Sequence, residues 1–405
     1  MSFIKFALQK QALEGVMRAA GVTPNADNVE SEKDIDEHFL NEIKDYAKEY
    51  NCLAKTILNK YIDENHVSNQ LLSPLSIIML LAIAADATLG VTKDEITKVM
   101  TNDLEFEKAR VLLSEIQAVL SSTTALSIAN AVCVSHKIED KILPEYKECL
   151  QNIFDGKMFA SKNIMGDVNK WVNEKTHGLI EKLIDKESND ETAASLINAV
   201  AFKADWADEF KEEDIIDKEF ENADGTKKMI PMLHGKGNVY IETDYCTGFI
   251  KFYKGSNFSF MALLPKDKGN DSIRSTIEQL DFSAVFYKRS FVTVNIVMPE
   301  FEYECTKNLT HIFKELGIKT VFSNDADFSK MTTKRLKAGS IIHKARIELD
   351  RKGTKAVAVT YMGLPVVSAA IMLPPKQVVL DRPFIYAIMH NKTGLPVFTG
   401  VLNKK

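Results

Sequence analysis

The most constraining feature of the sequence is a run of 20 residues without a charged side chain, which separates Lys355 from Lys376. Small residues occupy every second position where this run begins, namely Thr354, Ala356, Ala358 and Thr360. Because successive side chains of a β-strand point to opposite faces, a strand built from this segment has one face of small side chains. Such a face can enter a gap between existing strands with little overpacking.

The alternation by itself also fits an ordinary strand, or a surface loop rich in alanine and valine. The whole run does not fit a single sheet strand, because it contains Gly363, Pro365, Pro374 and Pro375. Connections of this length without secondary structure of their own are usually functional. The sequence therefore predicts a long functional loop that begins like a strand.

Hydrophobic periodicity predicts that helices dominate early in the chain and strands late. The helical segments are 39–62, 77–89, 92–120 and 167–184, with Ser73 as the cap of the second. Thr92 and Glu95 have the spacing of a capping box. The strand segments are 258–264, 291–298 and 384–389. This distribution predicts an α+β fold with large, mainly antiparallel sheets, in which residues 1–37 are an N-terminal extension and linker and residues 38–405 form one domain.

The composition excludes several classes of function. The net charge of −5 and the pI near 6.0 argue against nucleic acid as a partner, and no apolar run reaches the roughly 18 residues that cross a bilayer. Motifs of hydrolases, zinc peptidases and nucleotide-binding enzymes are absent, so we expect no enzymatic activity and no cofactor. The dispersed histidines, and the five cysteines without a C-x-x-C pair, predict neither a metal site nor a disulfide framework.

The first residues of the chain lack the uninterrupted apolar stretch of a secretory signal peptide. Together with the expected free thiols, this favours a cytoplasmic location or unconventional release. Conventional secretion is the alternative.

Six segments resemble segments of the serpin family of serine protease inhibitors, and they occur in that family's order between residues 71 and 402. They are LLSPLSI (71–77), NKWVNEKTHGLI (169–180), LINAVAFKADW (196–206), ELGIKTVFSNDADFS (315–329), HKARIELDRKGT (343–354) and DRPFIYAI…GLPVFTGVL (381–402). GTKAVAVT, at the start of the uncharged run, is similar to the hinge of the serpin reactive loop. Any one of these segments is a weak signal, but together they are specific.

The resemblance implies the serpin fold, with about nine helices and an exposed reactive loop at about residues 353–378. It also implies a suicide inhibitor: a serine protease attacks the loop, forms an acyl-enzyme, and stays covalently attached while the severed loop inserts into a large sheet. A monomer is expected. A non-inhibitory serpin (a chaperone or carrier) and a cross-class inhibitor of cysteine proteases are the alternatives. A heparin site is not expected, because the corresponding helix near residues 104–120 carries only Lys108 and Arg110 beside several acids.

The resemblance assigns the residues of the loop. The hinge consists of Gly353, Thr354, Ala356, Ala358 and Thr360. Counting from Gly353 places the scissile bond at Val367–Ser368, whereas counting back from Pro383 places it at Met372–Leu373. An apolar residue precedes either bond, which suits a protease of elastase- or chymotrypsin-like specificity.

The resemblance further implies a gate (the shutter) through which the loop enters the sheet, and a residue near the top of the opening sheet (the breach). The gate residues are Ser73, Ser76, Asn198 and His343, and the breach residue is Trp206. Without the resemblance, these would be read as hydrogen-bonded polar residues of the core and as a core aromatic. Lys355, Val357 and Val359 depart from the family pattern, but they lie on the outward face of the inserted strand, so insertion is expected to be slower or unaffected rather than blocked.

Overall fold

A computed structural model describes residues 37–62, 67–101, 105–121, 123–184, 193–255, 257–269, 271–354 and 374–405 of the chain. The described part contains nine α-helices, none of which is long and apolar enough to span a membrane. They are α1 (Glu37–Tyr61), α2 (Pro74–Asp86), α3 (Gly90–Thr101), α4 (Phe106–Ser121), α5 (Pro144–Phe154), α6 (Ile164–Lys175), α7 (Ser272–Gln279), α8 (Phe282–Tyr287) and α9 (Thr310–Glu315).

The described strands form three large sheets and one two-stranded pair. They are β1 (Gln70–Leu72), β2 (Leu126–Cys133), β3 (Gly156–Phe159), β4 (Ala193–Phe202), β5 (Ala204–Asp205), β6 (Ile215–Glu221), β7 (Lys227–Gly237), β8 (Tyr240–Glu242), β9 (Cys246–Phe252), β10 (Phe258–Pro265), β11 (Val294–Pro299), β12 (Phe301–Asn308), β13 (Lys337–Leu349), β14 (Gly353–Thr354), β15 (Lys376–Val379), β16 (Phe384–His390) and β17 (Pro396–Leu402). The strand orders are β12-β13-β4-β2-β3, β1-β17-β16-β10-β9-β8, β15-β11-β7-β6, and β14-β5. Three pairings among these strands are parallel and the others are antiparallel, which confirms the predicted α+β fold.

Helix α2 lies at the centre of the core because its sequence is apolar on every side. All its residues from Pro74 to Ala85 are buried, and it packs against α3, β4 and β17. The predicted cap is present: the Ser73 hydroxyl accepts a hydrogen bond from the backbone N–H of Ser76 at 3.3 Å. The start of this helix therefore lies close to the five-stranded sheet.

Two helical segments are shorter than predicted. The segment 92–120 is divided between α3 and α4, and the segment 167–184 contains only α6, which ends at Lys175. The end of α6 has a local cause, because His177 (φ 51°) and Gly178 (φ 81°) turn the backbone into the left-handed region. The residues that follow, 179–184, pack with α6 on the outer face of β2 and β4.

All five cysteines lie in the described residues and are free thiols. Cys133, Cys246 and Cys305 are buried, whereas Cys52 is exposed. Burial raises the pKa of the Cys133 thiol to about 12, so this group stays protonated and unreactive at neutral pH.

Candidate loop-insertion site

The middle of the five-stranded sheet contains a parallel pair of strands, β4 and β13, whose register places Asn198 opposite His343. We call the boundary between these two strands the seam. Strand β13 ends at Leu349, and the chain turns back before β14 begins at Gly353. A segment that continues from Gly353 into the seam would run antiparallel to both strands. Because antiparallel pairing is slightly more stable per residue, insertion would replace one parallel pairing by two better ones.

A chain of buried side-chain hydrogen bonds crosses the seam. The ring of His343 and the amide oxygen of Asn198 are 3.2 Å apart, and the Asn198 Nδ2 donates to Oδ1 of Asn130 on β2 at 2.9 Å. The Asn130 Nδ2 donates to the carbonyl of Phe154 at the end of α5. At the other end, the backbone N–H of Ser73 donates to Nε2 of His343 at 3.1 Å. The chain therefore ties α2, three neighbouring strands and α5 together.

The environment fixes the protonation of His343. Its Nε2 accepts a hydrogen bond from Ser73 and so carries the lone pair, which leaves the proton on Nδ1, where it donates to Asn198. Complete burial lowers the pKa of His343 to about 3, so the ring is neutral at physiological pH. Insertion of a strand between β4 and β13 must break the bond between His343 and Asn198.

The structure brings the predicted gate residues together, with one difference in detail. Ser73, Asn198 and His343 are connected by hydrogen bonds, whereas Ser76 contributes only its backbone N–H. The Ser76 hydroxyl is buried and has no hydrogen-bond partner among the described residues. The sequence reasoning missed Asn130, although an amide inside the apolar strand LSIANAVC was a usable signal.

The predicted breach residue lies where the turn after β13 meets the chain after β4. Trp206 is fully buried, stacks on Tyr253 with ring centres 4.4 Å apart, and donates from Nε1 to the carbonyl of Asp350 at 3.0 Å. We call residues 350–354 the loop root. The root is also held by its carbonyls, since Lys352 O accepts from the N–H of Trp206 at 2.8 Å, and Arg351 O accepts from the N–H of residue 210 at 2.9 Å.

Gly353 and Thr354 of the predicted hinge lie in the described part and pair with β5. Gly353 has a φ of 151°, and a Cβ there would lie 2.4 Å from the carbonyl oxygen of Ala204, so only glycine fits this pairing. The other hinge residues and both candidate scissile bonds lie outside the described residues, namely Ala356, Ala358, Thr360, Val367, Ser368, Met372 and Leu373.

The outer face of the seam is covered by the segment that follows α6. Lys344 on β13 donates to the carbonyl of Lys182 at 2.6 Å, and Arg346 donates to the carbonyl of Leu179 at 3.2 Å. Arg346 also pairs with Glu302 on β12. A strand that enters the seam must therefore displace or slide beneath this cover.

A strand boundary of this kind, closed by a buried polar chain and followed directly by a long uncharged loop, is typical of one class of inhibitor. The chain belongs to the serpin family: the match to the family described as Serpin (serine protease inhibitor) covers residues 48–404. The family consists of inhibitors rather than enzymes, which confirms the prediction that the chain has no enzymatic activity of its own.

Individual relatives agree in length and fold. Iripin-8 of Ixodes ricinus is 27% identical over 88% of this chain and 93% of its own, and leukocyte elastase inhibitor A of Mus musculus is 26% identical over 84% and 93%. The native-state structure of the thermophilic serpin tengpin is 30% identical, covers 93% of this chain and 96% of its own, and has a TM-score of 0.80. Its latent-state structure, at 29% identity over 92% and 100%, has a TM-score of 0.73. The existence of two states fits a metastable fold that changes conformation.

Proposed function

We propose that this serpin is a suicide inhibitor of a serine protease with elastase- or chymotrypsin-like specificity. The observation that supports this most strongly is the parallel seam between β4 and β13, which has a loop of small side chains starting at its end. About a dozen inserted residues, at about 3.3 Å each, would carry an attached protease roughly 40 Å along the molecule. The intact form is then a kinetically trapped state.

The covalent step uses the protease's own serine. Its hydroxyl attacks the carbonyl that precedes the scissile bond, an ester forms, and the amine of the following residue leaves with the C-terminal fragment. The inhibitor's residues act only afterwards. The loop root releases, the bond between His343 and Asn198 breaks, and insertion of the severed loop distorts the protease before water hydrolyses the ester.

The bait sequence supports the proposed specificity. Residues 356–375 contain no Lys or Arg, so a trypsin-like protease, whose pocket carries an acid, finds no residue to bind. Val367 and Met372, which precede the two candidate bonds, both fit a hydrophobic pocket. The printed name of the mouse relative, leukocyte elastase inhibitor A, agrees with this choice.

Incubation with pancreatic elastase and with chymotrypsin tests the proposal. We expect a complex that survives SDS, together with a released C-terminal fragment, whereas trypsin should not form one through this loop. Mass spectrometry of the fragment locates the bond, since cleavage after Val367 releases residues 368–405 and cleavage after Met372 releases residues 373–405. Clean cleavage without a complex across a broad panel of serine proteases would favour the non-inhibitory alternative, and a complex with a papain-like protease alone would favour the cross-class alternative.

The register of the hinge is tested by charge. Ala358→Arg should turn the inhibitor into a substrate, because the new charge would have to be buried as the loop inserts. Val359→Arg is the matched control, since position 359 lies on the outward face and the variant should still form the complex. Complex formation by both variants at the wild-type stoichiometry would contradict the assigned register.

The free thiols also favour a location. Because no cysteine is in a disulfide, we propose that the inhibitor works in a reducing compartment or reaches its protease by unconventional release, with conventional secretion as the alternative. Fractionation of the source cells with an antibody against the chain distinguishes these routes.

A further inference from the structure

Strand β9 carries a lysine, Lys251, whose side chain is buried. The exposed fraction of Lys251 is 6%. The Nζ lies 4.4 Å from the centre of the Phe210 ring and 5.7 Å from that of Trp206. A buried ammonium is strongly unfavourable compared with one in water, and cation–π contacts offset only a part of that penalty.

The two rings belong to residues 206–210, the segment that holds the loop root. The N–H groups of Trp206 and Phe210 donate to root carbonyls at 2.8 and 2.9 Å. Phe210 is packed closely on β7, because a Cβ at Gly235 would lie 2.7 Å from its ring. The cover over Lys251 and the clamp on the root are therefore the same segment.

The charged groups around Lys251 leave its ammonium largely uncompensated. Asp208, in the same segment, is the carboxylate whose field favours the charged form. Desolvation by burial is the larger effect, and it lowers the pKa of Lys251 to about 8. On β7, the titratable residues on either side of Gly235 are His234 and Lys236. Near the clamp and the root, Lys254 pairs with Asp205 and Glu209, and Arg351 pairs with Glu212. The root also carries Lys352 and Asp350, whose carboxylate accepts the N–H groups of residues 352 and 353.

We propose that Lys251 is a positioning residue whose buried charge biases residues 206–210 toward opening and thereby sets how readily the loop root is released. Opening gives the ammonium fuller access to water, and the charged form gains much more hydration from this access than the neutral amine does. The importance of this release for inhibition rests on the proposed function, but the opening itself does not.

The sign of the pH dependence follows from linkage. The closed form binds the proton with a pKa of about 8, and the opened, hydrated form with the ordinary value of 10.5. Below pH 8 the charge therefore has its full effect in favour of opening, and this effect decreases as the pH rises from 8 to 10.5. The largest increase in the opening equilibrium constant that the charge can cause is roughly 300-fold at pH 7, and it is about tenfold smaller at pH 9.

Hydrogen exchange of the peptide that contains residues 206–210 measures this opening directly. In Lys251→Met, we expect these amides to exchange at least several-fold more slowly than in the wild type at pH 7, and the difference to shrink about tenfold by pH 9. Lys254→Met is the matched control. It removes an exposed amine three residues away that is paired with Asp205 and Glu209, and it should not slow this exchange.

A charge-retaining variant keeps the test informative if methionine perturbs the fold. Lys251→Arg remains protonated at pH 9, so it should preserve rapid opening at both pH values and abolish the pH dependence. A second readout is the fluorescence of Trp206, measured in a Trp171→Phe background so that Trp206 is the only tryptophan. The fluorescence should change with a midpoint near pH 8 when residue 251 is lysine, and it should not change there in Lys251→Arg or Lys251→Met.

Two results would overturn the proposal: equal exchange of residues 206–210 in wild type and Lys251→Met at pH 7, or a difference that does not change with pH. Absence of a protease complex, with the exchange difference intact, would refute only the proposed inhibitory function. An inhibitor whose exchange is insensitive to Lys251 would refute only the role of this lysine.

Discussion

Asn198 uses both ends of its amide to close the seam. Its oxygen accepts a hydrogen bond from Nδ1 of His343, and its Nδ2 donates to Oδ1 of Asn130. All three side chains are buried, so a group that loses its partner has no water to replace it. A polar group left unpaired in such a place costs about 1–3 kcal/mol.

We therefore expect Asn198→Ala to destabilise the intact form by about 2–4 kcal/mol, because it leaves Nδ1 of His343 and Oδ1 of Asn130 without their hydrogen-bond partner. The melting temperature should fall, and spontaneous conversion to a loop-inserted form, followed on native gels, should accelerate. Ser76→Ala is the control, since the Ser76 hydroxyl has no partner to lose and the change should be neutral or slightly stabilising. Identical melting curves for wild type and Asn198→Ala would show that the polar chain does not hold the seam.

Single residues were predictable where short segments resemble the family, and unpredictable where the partner is distant. Ser73, Asn198 and His343 were found in this way, although 145 residues separate Asn198 from His343. The capping box expected from Thr92 and Glu95 is wrong. Helix α3 begins at Gly90, and the Glu95 carboxylate instead accepts the N–H groups of residues 319 and 320, more than 200 positions away. A local pattern cannot indicate a partner that only the folded chain brings near.

At the scale of elements, the pair β5–β14 holds the last described residues before the predicted reactive loop. Gly353 reaches this pairing with a backbone conformation that L-residues rarely adopt, and its Cα faces the backbone of Ala204 and Asp205 at close range. Any side chain at position 353 would push β14 away from β5. The loop root would then lose its short antiparallel contact.

Gly353→Ala should accordingly lower the stability of the intact form by about 1–3 kcal/mol, the usual cost of a residue forced into a strained backbone region. Thermal unfolding followed by circular dichroism measures the shift. Gly269→Ala is the matched substitution, because a Cβ there meets nothing within 4 Å, and it should change the melting temperature little. Equal melting temperatures for Gly353→Ala and Gly269→Ala would show that the contact between β14 and β5 does not contribute to stability.

Elements were predicted best where a continuous apolar run settles both their type and their burial. Strands β10 and β16 begin at the predicted residues and end one residue later than predicted. Helix α2 lies three residues earlier than the predicted segment 77–89, and it is buried from Pro74 to Ala85 as expected. Helical periodicity did not reveal the breaks. Residues 179–184 keep an apolar pattern because they pack on the sheet, although His177 and Gly178 have already ended the helix.

At the scale of the molecule, the α+β class and the family followed from the sequence, but the parallel seam did not. Strand β4 and strand β13 are far apart in the chain, and neither strand indicates by its own residues which neighbour it takes or in which direction. The small face of the loop predicted insertion, and the seam supplies the place. The two observations are independent, and together they support the proposal that the intact fold is one of two packings of this chain.

Cleavage of the reactive loop should therefore raise thermal stability. An added central strand of about ten residues brings ladder hydrogen bonds worth about 1 kcal/mol each, or roughly 10 kcal/mol in all. At about 1.2 °C per kcal/mol for a chain of this size, the melting temperature of the cleaved protein should rise by about 12 °C. Scanning calorimetry before and after limited proteolysis within residues 356–375 measures this rise.

Cleaved Ala358→Arg, which cannot bury its hinge, should melt like the intact protein. Equal melting temperatures for cleaved and intact wild type would mean that the severed loop stays outside the sheet, and the seam would then have no part in inhibition.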